Sequence, residues 1–238
     1  MNIRNIIAGS ISAAGKYFLF LMAFAGVICM TSCSESDETE DEFENWQEHN
    51  DKYFNDIYNQ AETAIKSGDE SWKIIRVYSK DSLAAKSKTD FIVVHVETEG
   101  TGTDSPIYTD KVAVHSRGNI IPSESYADGF QFYSSWIGDY NLKTMLPKVF
   151  TLYVGYTGYA RNATIGFTTA LMNMHKGDRW KVYIPYALGH GISNFTPTDD
   201  DIRSQKILGP SVPAFSTLIY DITLADYAHA GETLPTFQ

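Results

Sequence analysis

Two stretches decide the fold: residues 166–191, GFTTALMNMHKGDRWKVYIPYALGHG, and residues 212–224, VPAFSTLIYDITL. Apolar residues in the first stretch recur at helical spacing and share one stripe: Phe167, Ala170, Leu171 and Met174. The pattern predicts a helix that ends at Gly177, because glycine readily takes the left-handed conformation found at helix ends. His175 and Lys176, directly before this glycine, suit the negative end of the helix dipole.

The residues after this helix alternate between apolar and polar side chains, which is the period of a strand with one buried face. The apolar positions are Trp180, Val182 and Ile184 in one strand, and Leu218, Tyr220, Ile222 and Leu224 in another. A short helix packed on an antiparallel sheet is the plain interpretation, and it indicates an α+β fold. Many α+β domains share that much, so the two stretches alone do not name a fold.

A long N-terminal helix and several more strands complete the prediction. The helix is expected over Phe43–Lys66, where it covers one face or end of the sheet or forms a mobile docking arm. Further strands are expected at Trp72–Tyr78, Phe91–Val96, Lys111–Arg117, Gly129–Trp136 and Val149–Tyr153. We therefore expect a helix-and-strand extension over residues 45–90, a main domain over residues 91–227 and a tail over residues 228–238.

Residues 1–32 are typical of an export signal peptide and are excluded from the fold. The apolar run Tyr17–Met30 is shorter than the about 20 residues that a membrane-spanning helix needs. It ends in Met30-Thr31-Ser32-Cys33, which resembles a lipoprotein processing site, so we expect lipidation at Cys33. The alternatives are an ordinary secretory peptide and an anchor that stays uncleaved.

An acidic block, SESDETEDE, follows at residues 34–42 and has nothing to bury. It predicts a disordered, solvated tether over residues 33–44. The block also resembles the acidic tag that sends some Gram-negative lipoproteins to the cell surface. The expected location is therefore the outer membrane of a Gram-negative bacterium, with surface and periplasmic orientations both open. The lipid is the only membrane contact that we expect.

Charge and cysteine content exclude several classes of protein. The sequence has a net charge of −10, and two of its 19 basic residues but none of its 29 acidic ones lie in the signal. Such an acidic surface argues against nucleic-acid binding, which needs a positive field. The two cysteines, Cys29 and Cys33, leave no disulfide and no cysteine metal site in the processed chain.

Other chemistries find little support in the sequence. The six histidines are scattered without metal-ligand spacing, and His115 is interpreted as a core or edge histidine with its hydrogen bonds satisfied. Asp199–Asp201 lacks the spaced ligands of an EF-hand loop, and Gly100–Asp104 lacks the surroundings of a phosphate loop. We therefore expect no metal and no cofactor.

A series of motifs runs in one order from about Phe91 to Tyr227. They are Val114-His115 with Gly118, Asp128-Gly129 with Phe132 and Ser134-Ser135, Gly166 with Ala170, Leu171, Met174 and Gly177, Ile184-Pro185 with Gly191, and Val212-Pro213 with Thr217, Leu218 and Tyr220. In content and spacing they resemble the FKBP-type (macrolide-binding) peptidyl-prolyl isomerases. The resemblance implies an FKBP-like α+β fold, in which a twisted antiparallel sheet wraps on a short helix, here with an N-terminal helical extension.

The resemblance also implies an aromatic pocket for a proline ring. Carried over by motif, the pocket residues are Phe132 and Tyr220 as walls, Phe167 as floor in place of the usual tryptophan, Thr164 as backbone N–H donor, and Val212 and His190 as rim. Three positions depart from the family pattern: Ser116 replaces a tyrosine, Tyr133 an aspartate, and His190 a tyrosine. The same aromatic positions are also what a plain hydrophobic core would contain.

The activity implied by the resemblance is peptidyl-prolyl cis-trans isomerisation. The reaction breaks no bond, and a dry aromatic cavity favours the twisted, less polar imide over the planar one. We expect a monomeric folding helper, anchored in the envelope, whose partners are proline-containing polypeptide segments. The alternative is a non-catalytic binding or adhesion module that has kept the scaffold and lost turnover.

Overall fold

The computed structural model describes residues 42–136, 138–142, 144–152, 163–196 and 211–237. The predicted export signal, the lipidation site Cys33, most of the acidic tether and Asp199–Asp201 lie outside these residues. Within the described part of the chain, no helix is both long enough and apolar enough to cross a membrane.

Seven strands form one antiparallel sheet in the described residues. They are β1 (Trp72–Arg76), β2 (Phe91–Thr98), β3 (Lys111–Ile120), β4 (Gln131–Ser134), β5 (Lys148–Thr151), β6 (Arg179–Ile184) and β7 (Leu218–Ala228). Their order in the sheet is β1-β2-β6-β7-β3-β4, and β5 pairs with β3. Two α-helices accompany them, α1 (Trp46–Lys66) and α2 (Ile165–Leu171). The predicted FKBP-like α+β fold with an N-terminal helical extension is confirmed.

Alternation along β7 separates the two faces of the sheet. On the inner face Tyr220 is buried in the main core together with Phe167 of α2. On the outer face Ile219 packs in a second cluster with Phe54 of α1. The sheet is thus covered by a different helix on each side, and each large side chain buried in this way contributes about 1.5–3 kcal/mol.

The helix α1 lies on the sheet, as the first of its two alternatives predicts, with Phe54 and Ala61 buried. It begins at Trp46, later than the predicted Phe43, because Asn45 takes a left-handed conformation (φ 52°). Its apolar pattern did not reveal Asn50, a polar residue that is 0 % exposed.

The helix α2 ends at Leu171, well before the predicted end at Gly177. The carboxylate of Asp178 stabilises the turn after α2, because it accepts hydrogen bonds from the His175 N–H at 2.7 Å and from the Gly100 N–H at 2.6 Å. Gly177 does adopt a positive φ of 93°, but it does so in this turn. The Lys176 ammonium pairs with Asp226 at 2.6 Å, so it does not act on the helix end. The predicted role of this segment as a helix end was therefore wrong.

Candidate active site

The pairing of β3 with β7 makes room for two large rings. Gly118 lies opposite Tyr220 in the sheet register, and the ring of Phe132 from β4 covers the same position. A Cβ at Gly118 would lie 2.6 Å from Cζ of Phe132 and 2.8 Å from Cε1 of Tyr220. Only glycine at this position lets both rings approach the strand.

The three rings assigned to the pocket form one cluster. The centroids of Phe132 and Tyr220 are 5.5 Å apart with an interplanar angle of 88°, and those of Phe167 and Tyr220 are 4.9 Å apart at 63°. Phe150 of β5 extends the cluster, with its centroid 6.2 Å from that of Phe167. The two contacts of Tyr220 are edge-to-face, which is a favoured arrangement of aromatic side chains. Tyr220 is the common member that joins β4 to α2.

Thr164 caps α2 and so fixes where Phe167 stands. Its hydroxyl oxygen accepts the Phe167 N–H at 3.3 Å, which satisfies one of the free donors at a helix start. The Thr164 backbone is extended (φ −66°, ψ 164°), and among the described residues its own N–H donates no hydrogen bond.

His190 closes the cluster on the side of Phe132, with ring centroids 6.1 Å apart. Its imidazole stacks on Phe195 at 3.8 Å with an interplanar angle of 5°. Phe195 exchanges two backbone hydrogen bonds with Val212, of 2.9 and 2.7 Å. Val212, the partner of Phe195 in this bridge, is 0 % exposed, so it lies in the core and has no exposed surface at a rim. Phe195 was missed by sequence reasoning, since no motif contains it.

The cluster is a dry, apolar environment. Phe132 is 2 % exposed, Phe167 3 % and Tyr220 1 %. Among the described residues, no three histidine, cysteine, aspartate or glutamate side chains are grouped so that they could hold a metal ion. The rings are therefore enclosed by the surrounding protein, and what they form is an aromatic environment from which solvent is excluded.

Ser116 and Tyr133, which depart from the family pattern, make structural contacts in this protein. Ser116 is buried, and its backbone exchanges hydrogen bonds of 2.9 and 2.8 Å with the side chain and backbone of Ser135. Tyr133 lies opposite Gly118 in the β3–β4 register and packs, half-buried, against the main core. Ser116 therefore lacks the phenol that the family pattern has at its position, and Tyr133 lacks the carboxylate.

His115 differs from its prediction. It is 3 % exposed, and within the described residues its Nδ1 atom has no hydrogen-bond partner, although the sequence suggested a satisfied histidine. Burial lowers the pKa of His115, because it disfavours the charged form of the imidazole. Its register partner is Thr223 on the outer face of the sheet, away from the ring of Tyr220.

A concavity of about 520 Å³ lies on the outer face between α1 and the loop that follows β3. Its floor carries charged side chains: Arg117, Arg179, Lys181 and Asp221. The Arg179 guanidinium binds Asp221 through two bonds of 2.9 and 2.5 Å, which raise the pKa of Arg179. The sequence pattern predicted strands with one buried face here and did not identify the concavity.

Comparisons with known proteins show which proteins this chain resembles. The family model for FKBP-type peptidyl-prolyl cis-trans isomerase matches residues 102–225, which include every residue of the ring cluster. The macrophage infectivity potentiator of Trypanosoma cruzi is 28% identical over 134 residues, and the match covers 56% of this chain and 51% of that protein. The chain therefore spans about half the length of this curated relative.

Two solved structures are among those to which the chain is similar. The three FKBP domains of wheat FKBP73 align with a TM-score of 0.43 and 22% identity, over 66% of this chain and 51% of that one. A peptidyl-prolyl cis-trans isomerase from Pseudomonas syringae pv. tomato aligns with a TM-score of 0.44 and 18% identity, over 79% and 96%.

Proposed function

The chain belongs to the FKBP-type peptidyl-prolyl cis-trans isomerase family, and we propose that it catalyses prolyl isomerisation and assists the folding of other proteins. The observation that carries the proposal is the ring cluster of Phe132, Phe167 and Tyr220 beside the capped start of α2. All three rings fall within the matched residues 102–225.

The proposed mechanism needs no nucleophile, base or metal. Rotation about a peptide bond costs about 18–20 kcal/mol, because the planar form is stabilised by resonance. The twisted imide has lost that resonance and is less polar, so a dry aromatic site binds it better than the planar form. The Thr164 N–H is the donor that would hold the carbonyl of the bound segment during rotation.

A second candidate is a binding module without turnover. Two observations favour it: Ser116 replaces the tyrosine of the family pattern, and Tyr133 replaces its aspartate. Such a module would bind proline-containing segments and release them unchanged. It predicts binding without any increase in the isomerisation rate.

The experiment that separates the two candidates is a protease-free isomerisation assay on a proline tetrapeptide. The full chain is assayed in a non-ionic detergent, and the exchange rate between cis and trans peptide is followed by NMR. A rate above the uncatalysed background supports the isomerase. Binding of the tetrapeptide at the background rate supports the module.

Membrane anchoring and partners form the remaining part of the proposal. We propose that Cys33 is lipidated and holds the protein as a monomer in the outer membrane of a Gram-negative bacterium, where it acts on proline-containing segments. The apolar run that ends in Thr31-Ser32-Cys33 supports it. Cys33→Ala should abolish fatty-acid labelling, and unchanged labelling would refute it. Protease shaving of intact cells distinguishes surface display from a periplasmic orientation.

A further inference from the structure

We propose that α1 is a working part of the aromatic site, in which Asn50 and Trp46 fix the segment 212–217 and thereby position Tyr220. The inference rests on the proposed isomerase function. It concerns a helix that lies outside the matched residues 102–225, so the family resemblance assigns no role to it.

Asn50 is the first of the two contacts. Its carboxamide oxygen accepts the Thr217 N–H at 2.6 Å, and its amide nitrogen donates to the Trp46 carbonyl at 2.7 Å. The side chain is 0 % exposed, and the hydrogen bond joins residues 167 positions apart. A buried amide has to be hydrogen-bonded, so this bond determines where Thr217 sits relative to α1.

Trp46 is the second contact, and it reaches the same segment one residue earlier. Its Nε1–H donates to the Ser216 hydroxyl at 2.8 Å, and that hydroxyl donates in turn to the Pro213 carbonyl at 2.8 Å. The chain of hydrogen bonds therefore runs from α1 to the residue next to Val212. Val212 is bridged to Phe195, which carries the His190 ring.

The segment needs to be held, because its backbone is strained. Phe215 has a φ of 63°, a left-handed conformation that non-glycine residues rarely adopt. Such a conformation persists only where the surroundings impose it. On one side the Phe215 N–H donates to the Gly191 carbonyl at 2.9 Å, next to His190. On the other side α1 holds Ser216 and Thr217, which are four and three residues before Tyr220.

The consequence is a direct link between the extension and the site. Without the two contacts from α1, the segment is free to relax at Phe215, and the start of β7 shifts with it. Tyr220 contacts both Phe132 and Phe167, so a shift of its ring opens the whole cluster. Asn50 and Trp46 are therefore positioning residues that act through Thr217 and Ser216.

The test compares Asn50→Leu and Trp46→Phe in the full chain with Asn59→Leu, the matched control, which alters an exposed asparagine of the same helix. Circular dichroism first shows that each sample is folded. We then measure amide hydrogen exchange at Thr217 and the chemical shift of the Tyr220 amide. On the same samples we measure kcat/KM and KM for a proline tetrapeptide. Loss of one hydrogen bond predicts a threefold to tenfold drop in kcat/KM, as an order of magnitude.

We expect Asn50→Leu to speed Thr217 exchange about tenfold, to shift Tyr220 and to lower kcat/KM per folded molecule. Trp46→Phe should do the same to a smaller extent, and Asn59→Leu should change none of these. Unchanged Thr217 exchange, or unchanged kcat/KM in both variants, overturns the inference and leaves the isomerase proposal intact. A wild type without catalysis refutes the proposed function instead. The Thr217 exchange and the Tyr220 shift then decide alone whether α1 positions the ring.

Discussion

His229 binds a fully buried carboxylate: its Nδ1 atom lies 2.9 Å from Oδ2 of Asp110, whose side chain is 0% exposed. The same oxygen accepts the Ile107 N–H at 2.8 Å, and the His229 N–H donates to Glu232 at 3.0 Å. The hydrogen bond to Asp110, followed by its negative charge, raises the pKa of His229. The contact ties the C-terminal tail to the residue that precedes β3.

This relationship predicts a pH-dependent stability. Because the pKa of His229 is higher in the folded than in the unfolded state, its protonated form stabilises the fold. This stabilisation is fully present below the unfolded-state pKa of about 6.5, and it is lost as the pH rises through the folded-state pKa. Urea unfolding between pH about 5.5 and about 8.5 should show a smaller loss of stability in His229→Gln than in the wild type. His49→Gln, at an exposed histidine of α1, should keep the wild-type profile. Parallel profiles for His229→Gln and the wild type would contradict the prediction.

Phe132→Ala tests the ring cluster. Removal of the ring opens the site to water and takes away a contact of Tyr220, so we expect at least a tenfold loss of isomerase activity, as an order of magnitude. Phe130→Ala is the matched control, since Phe130 is also buried but contacts Tyr126 instead of the cluster. Both changes destabilise the core by about 3–5 kcal/mol. Equal activity losses per folded molecule would mean that the rings serve only as core.

Tyr133→Asp tests a departure from the family pattern. The change supplies a carboxylate beside Gly118, and one added substrate hydrogen bond is worth about 0.5–1.5 kcal/mol. We therefore expect isomerisation to be about threefold to tenfold faster. Tyr133→Asn is the control for loss of the phenol without gain of a charge, and it should not accelerate the reaction. If the aspartate variant is no faster than the asparagine variant, the carboxylate has no role here.

Asp90 anchors the loop before β2. A hydrogen bond from the Lys80 ammonium, with others from the Ser87 and Lys86 N–H groups at 2.9 and 2.8 Å, lowers the pKa of Asp90 to about 2. The resulting stabilisation is present above the unfolded-state pKa of about 3.9 and is lost as the pH falls toward about 2.

We expect Asp90→Asn to lower the free energy of unfolding at neutral pH by about 1–3 kcal/mol and to flatten its dependence on pH below about 4. Asp56→Asn is the matched control, because Asp56 also pairs with a lysine, Lys52, but is exposed to solvent. Exposed pairs contribute little, about 0–1 kcal/mol. Chemical denaturation of the two variants at several pH values checks this, and equal losses would show that the loop does not depend on Asp90.

The sequence predicts the elements whose apolar residues recur at helical or strand spacing. The stripe of Phe167 and the alternation of Tyr220 place both residues on buried faces, and the family motifs add Phe132 to the same cluster. The end of α2 could not be predicted, because it depends on hydrogen bonds to the Asp178 carboxylate. One of them comes from the N–H of His175 nearby, and the other from the N–H of Gly100, which is distant in the sequence. Asn50 shows the same limit, because its partner Thr217 lies 167 residues away and no local pattern points to it.

The position of β7 in the sheet determines when the sheet can finish folding. This last strand lies between β6 and β3, and β3 and β7 are paired along ten register positions from Lys111 to Ile120. Non-local pairing of this kind slows folding, because a long loop has to close before the contact is made. A chain that has been synthesised only as far as α2 lacks the strand that joins its two halves. The ring cluster needs Tyr220 of β7, so it cannot be complete until the C-terminal strand has been synthesised.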